Sequence, residues 1–452
     1  MQNIRRILLI AMLAVAAPVV GDDTSIWHVT LNSQHLGPVE FHLEIAADGS
    51  GIRGRSLSGA TAILGQLPGE RRIATGLMAF AASTTDDGSH EGRITAPWQD
   101  GSIKLTFSAD SLEGRVDDGI FSGAFSGRRV AAAGRLRDYP AILDAFDDVV
   151  ATKVYAPADL DEPGYRDFRR RLAEVVEAAT DDLDLLFGFR WLWQNDPFSH
   201  FQLRRSPQTA AEMFAMFDNY RVGFEAATVE FDGDVALLTV RTMMGADTIE
   251  QIEAAYDRIA EQQPGALIID LRGNGGGAFA VKPLVEHVID EPLDAGFFIS
   301  QVWNRKHDDL PDRAAVLSSA PWEGWSIIAF WEAVQDSDIL RIRFQPAEPN
   351  FDGEVVVLID ERSASATELA ADALRASGLA TLVGQRSAGE MLSQSMFDVA
   401  DGFIVSLPVA DYYSVAHGRI EGTGVPVDVD AEAGQALEAA RALLQNRRSG
   451  VN

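Results

Sequence analysis

The sequence predicts a mixed α/β core, entered through a helical segment and preceded by a separate all-β domain. Three observations lead there. Between about Trp27 and Arg135, short runs alternate apolar and polar residues, separated by Gly, Asp and Ser. Between Asp234 and Gly384, apolar strand patterns alternate with helical ones, which argues for a parallel or mixed sheet with crossover helices. Two of those strands, ending LIID and VVLID, run into a glycine-rich turn and a serine-bearing turn.

Composition sets the bounds. With 452 residues, 46% of them hydrophobic, the chain has material for two or three domains with substantial cores. A formal net charge of −29 argues against a nucleic-acid or anionic-membrane surface, which needs clustered Lys and Arg. The absence of cysteine excludes disulfides, thiol catalysis, thiolate metal sites and a lipid on an N-terminal cysteine. Residues 1–21 read as an export signal: Arg5 and Arg6, an apolar run from Ile7 to Ala17, then small residues before Asp22. The mature chain is then periplasmic or secreted, with an uncleaved anchor as the alternative, and no later stretch is apolar enough to span a bilayer.

Residues 22–137 contain WHVTL, VEFHLEI, SIKLTFSA, SLEGRV and IFSGAFSG, the pattern of an antiparallel sandwich or barrel. Trp27, His28, His35 and His42 lack metal-ligand spacing and read as sheet-face residues. Pro140, Pro157 and Pro163 mark the passage into a helical subdomain, residues 138–222. There Tyr165–Thr180 puts Phe168, Leu172, Val175 and Val176 on one face. A second helix, from about Asp181 to Trp193, stops before Pro197, and Phe198-Ser199-His200-Phe201 follows.

The α/β core takes residues 223–446. A strand is expected at Asp234–Thr242, a helix at Thr248–Gln262, a strand at Ala266–Leu271, a helix at Ala278–Asp290 and a strand at Phe297–Val302. Residues 303–350, rich in Trp, Asp and Pro, show no legible pattern. The alternation resumes with a strand at Glu354–Asp360, a helix at Ala366–Ser377 and a strand at Ala380–Gly384.

In a parallel sheet the carboxyl ends of the strands share one edge, so the two turns can line one crevice. The glycine turn, LRGNGGG, lets backbone amides approach an anion, either a phosphate or the oxyanion of an intermediate. Gly273-x-Gly275-x-x-Ala278 also fits a dinucleotide fingerprint, but the next strand, FFISQV, does not end in the acid that would hold a ribose. Ser365 stands at the entrance of a helix, where the dipole and free amides favour negative charge and a sharp turn can expose a nucleophile. Ser365-Ala366-Thr367-Glu368 is equally a capping box, in which the serine only caps the helix.

Taken in order, IIDLRGNGGG, VVVLIDERSASATELAADALRASGLATLVGQRSAGE and GRIEGTGVPVDVD resemble the tail-specific and C-terminal-processing serine peptidases, the superfamily of the tricorn core protease and of interphotoreceptor retinoid-binding protein. The resemblance runs from about Asp144 to Asp430. It implies a crotonase-like peptidase core, with Ser365 as nucleophile and the amides of Gly275, Gly276, Gly277 and Ala366 as the oxyanion hole. In the processing branch a lysine follows within F-G-K-G, but Glu390 stands at that place here, so the serine–lysine dyad is absent.

The tricorn-like branch implies His200 as base, in DPFSHFQL against D-S-H-T. Ser199 and Glu421 are then its supporting residues, the latter in IEGTGV against E-G-x-G-V-x-P-D. The chain departs from these patterns at Phe201 and in its ending G-V-P-V-D. Only about 25 residues separate His200 from the strand region near Ala226, which leaves no room for a PDZ domain. The implied function is an exported serine peptidase acting on polypeptides, with no metal or organic cofactor. The alternative is a non-catalytic protein that binds an apolar ligand or peptide on the same fold.

Overall fold

A computed structural model describes residues 24–450 apart from 34, 48, 61–62, 64–76, 97–99 and 118–121. The export signal expected in residues 1–21 lies outside the described residues. Eight strands, β1 (Thr24–Ser33), β2 (Gly37–Ala47), β3 (Gly51–Ser56), β4 (Ala79–Thr84), β5 (His90–Thr95), β6 (Asp100–Ser108), β7 (Ser111–Asp117) and β8 (Gly123–Val130), form an antiparallel barrel that closes where β1 pairs with β8. Alternation dictates this arrangement: Val29, Leu31, Val39, Phe41, Leu105 and Leu112 fill the interior while their neighbours face outward. Of the two all-β forms expected, the closed one leaves no free sheet edge.

Three helices follow, α1 (Tyr139–Lys153), α2 (Pro163–Ala178) and α3 (Asp182–Leu192). Phe146, Phe168, Phe189, Trp193, Phe198 and Phe201 stack edge to face between them, with ring centroids 5.0–5.9 Å apart in the pairs Phe168–Trp193 and Phe146–Phe189. This aromatic plug holds the segment that contains Ser199 and His200. Between His200 and the next sheet lie β9 (Gln202–Arg205), the short α4 (Ala210–Phe214) and one 3-10 turn.

The core holds two sheets. In the first, β10 (Ala227–Asp232) is antiparallel to β11 (Val235–Val240), and β11, β12 (Ala266–Asp270), β16 (Glu354–Ile359), β17 (Ala380–Gly384) and β21 (Val429–Asp430) run parallel in that order. Its strands are apolar on both faces because helices cover both. Ala266, Ile268, Val356 and Leu358 pack on a C-terminal helix (Ala436–Arg448) through Ala436, Ala440 and Leu444. Leu267, Ile269, Val355 and Val357 face the main core, where α5 (Ala246–Gln262), α6 (Val281–Glu286) and a helix at Ala366–Ala376 lie. The helix expected at 278–290 is thus a single short α6, since the glycine turn takes the chain as far as Ala280.

The second sheet contains β13 (Leu293–Ser300), β14 (Pro321–Trp322), β15 (Ile339–Phe344), β18 (Leu392–Asp398) and β19 (Phe403–Ser414), in the order β14-β15-β13-β19-β18. Both β9 and β20 (Gly418–Arg419) also pair with β19. The segment without a legible pattern supplies α7 (Gln301–Asn304), α8 (Arg313–Ser318), β14, α9 (Ile327–Asp336) and β15. The helices that follow are α10 (Ala366–Ala376) and α11 (Ala436–Arg448). No helix among the described residues is long and apolar enough to cross a membrane.

Candidate active site

Because β12 and β16 are parallel neighbours, their carboxyl-terminal turns are side by side, and hydrogen bonds tie them together. The Ala364 N–H donates to the Asn274 carbonyl (3.1 Å), the Ser363 hydroxyl to the Leu271 carbonyl (2.9 Å) and the Gly273 N–H to Asp360 Oδ1 (2.8 Å). The two turns therefore face one crevice.

Glycine is required at the closest approach. A Cβ on Gly276, whose φ is 90°, would sit 2.7 Å from Ser365 Cβ and 2.6 Å from the Ala364 carbonyl oxygen. The Gly276 N–H is already taken by the side chain of the fully buried Asn274, at 2.9 Å. The donors without a hydrogen-bond partner among the described residues are the N–H groups of Gly275, Gly277 and Ala366. The four expected oxyanion donors thus divide: Gly276 is the wall of the turn, and the other three point to no protein acceptor. Asn274 was not singled out from the sequence, because its role depends on the fold of its own turn.

Ser365 sits at the entrance of α10 with φ 57° and ψ −124°, a conformation that L-residues hold only when their surroundings enforce it. Glu368 does the enforcing. Its carboxylate accepts from the Ser365 N–H (3.0 Å), the Ser387 hydroxyl (2.6 Å), the Gly389 N–H (2.7 Å) and the Glu390 N–H (2.9 Å). Burial raises its pKa, and these bonds work against the rise. Glu368 accepts the Ser365 N–H as a capping box requires, and its own N–H donates to the Ser365 carbonyl at 2.8 Å. Glu390, at the place of the processing branch's lysine, accepts from Asn195 Nδ2 at 3.2 Å.

His200 also has positive φ, 59°. Its Nδ1 lies 2.6 Å from Ser199 Oγ. The buried Glu421 accepts from the Ser199 N–H at 2.9 Å and from the Met391 N–H at 2.7 Å, and the Ser199 side chain also hydrogen-bonds to it. Burial pushes the His200 imidazole down to about 4, so it is neutral at ordinary pH. With Nδ1 engaged by Ser199, Nε2 is the nitrogen left to exchange a proton. No hydrogen bond joins His200 to Ser365, but both line one cavity of about 370 Å3, together with Gly275, Gly276, Gly277 and Ala366. All the residues named from the sequence thus come together: six of them line the cavity, and Ser199 and Glu421 stand behind His200.

Such an arrangement offers a serine hydroxyl on a strained turn, a neutral imidazole, free amides and a helix N-terminus around one volume, which suits acyl transfer. Among the described residues no three His, Asp or Glu side chains converge as metal ligands.

Residues 234–431 match the model of Peptidase family S41. Among curated proteins, the chain is similar to a carboxyl-terminal-processing protease of Synechocystis sp., 28% identical over 187 residues, covering 41% of this chain and 36% of that protein. It is likewise similar to a chloroplastic C-terminal processing peptidase of Tetradesmus obliquus, 28% identical over 187 residues, covering 41% of this chain and 33% of that protein. The match thus spans about a third of the length of these relatives. Among solved structures, a putative peptidase of Parabacteroides merdae matches with a TM-score of 0.47 and 14% identity, covering 68% of this chain and 97% of that one.

Proposed function

With residues 234–431 a peptidase family S41 domain, we propose that the chain is an exported serine peptidase that cleaves polypeptides through Ser365 with His200 as its base. The observation that supports this most directly is the shared cavity, where Ser365 and a neutral imidazole stand beside unpaired amides.

In the first step Ser365 Oγ forms a bond to the scissile carbonyl carbon, and its proton passes to His200 Nε2. The carbonyl π electrons move onto oxygen. The N–H of Ala366, with that of Gly275 or Gly277, stabilises the resulting oxyanion at the N-terminus of α10. His200 then returns the proton to the leaving amine as the C–N bond breaks, leaving an acyl-enzyme. Water repeats the sequence and releases the acid. Ser199 and Glu421 are positioning residues: they fix the tautomer of His200 and favour its cationic form. Gly276 permits the close approach of the two turns and is not a donor. Export rests on residues 1–21, and sequencing the mature N-terminus is expected to find it near Asp22.

The test is labelling with a fluorophosphonate probe alongside digestion of unfolded casein, comparing the wild type with Ser365→Ala and His200→Ala. Labelling and cleavage that both variants lose support the proposal. Wild-type protein that takes no label and leaves casein intact sinks it, and favours the non-catalytic binding role.

A further inference from the structure

Part of the cavity beside Ser365 is built by the segment whose sequence showed no pattern. Trp322 of β14, Phe330 and Trp331 of α9 and Phe344 of β15 line it, facing Phe298 of β13. Phe330 is the hub of these aromatic walls: its ring centroid lies 5.6 Å from that of Phe298, 5.8 Å from Trp322 and 5.7 Å from Phe279, each pair near edge-to-face.

Two cations also line the cavity, which at first sight suits an acidic guest. Both already have carboxylate partners. Lys282 Nζ is 2.8 Å from Glu286 and lies over the Trp325 ring at 4.9 Å. Arg343 makes a two-pronged contact with Asp294, at 2.8 and 2.7 Å, and shares that carboxylate with Arg341, at 3.0 and 2.9 Å. An acidic side chain would have to displace these carboxylates, and a basic one would find no free anion to offset its lost hydration. An apolar side chain meets neither cost and gains burial against aromatic faces.

We propose that this cavity selects the residue whose carbonyl Ser365 attacks, and that it takes a large apolar side chain such as Phe, Leu or Met. The inference rests on the peptidase reading and adds its substrate class. Ser365 and Ala366 form part of the cavity wall, so a carbonyl held there directs the adjoining side chain inward. At 370 Å3 the space holds a whole aromatic side chain, and alanine would leave most of it empty.

The test uses a peptide series identical except at the acyl residue, with Phe, Leu, Ala, Asp and Lys in turn, measured as kcat/KM. Phe and Leu peptides are expected to exceed the Ala peptide about 10–100-fold, with Asp and Lys lower still. Phe330→Ala and, separately, Trp322→Ala are expected to narrow the Phe-to-Ala ratio. Both side chains are half-buried, and the second variant guards against loss of fold in the first. Fluorophosphonate labelling of the same preparations separates the two ideas. A protein that labels at Ser365 but cleaves all five peptides alike, prefers Ala or a charged residue, or leaves the Phe and Leu peptides intact overturns the pocket assignment alone. A protein that neither labels nor cleaves overturns the peptidase reading beneath it.

Discussion

In the barrel, β6 and β7 alternate, burying Ile103, Leu105, Leu112 and Val116 while their neighbours face solvent. In the core, β12 buries all five of its residues, and β16 buries Val355 through Ile359. The barrel closes on itself and turns one face inward. The core sheet is covered on both faces, which leaves its carboxyl edge as the open place for a site. Strain follows the same division. The non-glycine residues with positive φ among those described are Asn195, His200, Gln263, Ser365 and Asp401, and none belongs to the barrel. Regular structure does the barrel's work; of the five, His200 and Ser365 line the candidate site, while Gln263 caps α5 and Asp401 lies in the turn between β18 and β19.

The two regions nonetheless share a buried ionic junction. Arg205, at the end of β9 and five residues after His200, bonds Glu40 of β2 at 2.9 Å and Asp182 of α3 at 2.8 Å. Arg137 bonds the same two carboxylates at 2.6 and 2.8 Å, and the Tyr139 hydroxyl donates to Asp182 at 3.0 Å. The Arg205 N–H also donates to the Leu36 carbonyl beside β2. The barrel is thus a clamp on the strand that leads away from His200, rather than a detached appendage.

Ser365→Ala should break the comparison on the core side. It is expected to lower peptidase kcat by at least ~10³-fold while costing no more stability than the about 1 kcal/mol of a lost helix cap. Arg205→Leu attacks the junction. It leaves Glu40 and Asp182 with Arg137 as their remaining cation and is expected to cost about 1.5–3 kcal/mol in denaturant unfolding, with fluorophosphonate labelling falling as well if the clamp positions His200. Leu105→Ala, inside the barrel, should cost about 2–5 kcal/mol and leave the labelling rate of the surviving folded protein near wild type. A large drop there would show that the regions are less separable than their strain suggests.

Glu421→Gln keeps the shape of the site and removes the charge behind Ser199. A fall in kcat on the order of 10²-fold is expected, with KM little changed. The mildest probe is pH. His200 protonates near 4 in the folded protein, against about 6.5 when unfolded, so the acid limb of kcat/KM should lie near pH 4. Between those values the unfolded chain binds the extra proton, so this group's contribution to stability is present above about 6.5 and declines as pH falls towards 4. An acid limb at 6.5 would mean that the imidazole is solvated.

Local pattern made much of this legible. Alternation in VEFHLEI and SIKLTFSA gave an antiparallel β domain, because period two can bury only one face. The apolar runs ALIID and VVVLI gave strands buried on both faces. The order of Ser199-His200, the glycine turn, Ser365 and Glu421 was readable because each lies in a short motif.

Other features depend on pairs distant in the chain. Closure of the barrel comes from β1 meeting β8, nearly a hundred residues apart, and alternation alone does not distinguish a barrel from a sandwich. Asn274 ties its turn to β11 through the Val240 carbonyl, and Glu368 ties the Ser365 turn to Ser387, Gly389 and Glu390 beyond β17, contacts that exist only once the sheet is assembled. That Arg205 joins the barrel to the strand after His200, and that side chains between 322 and 344 wall the cavity beside Ser365, were likewise decided by tertiary contacts. Residue type and local period set which elements form, because they depend on nearest neighbours. Which amide is spent, which carboxylate is paired and what lines a cavity depend on packing between elements, which no local window contains.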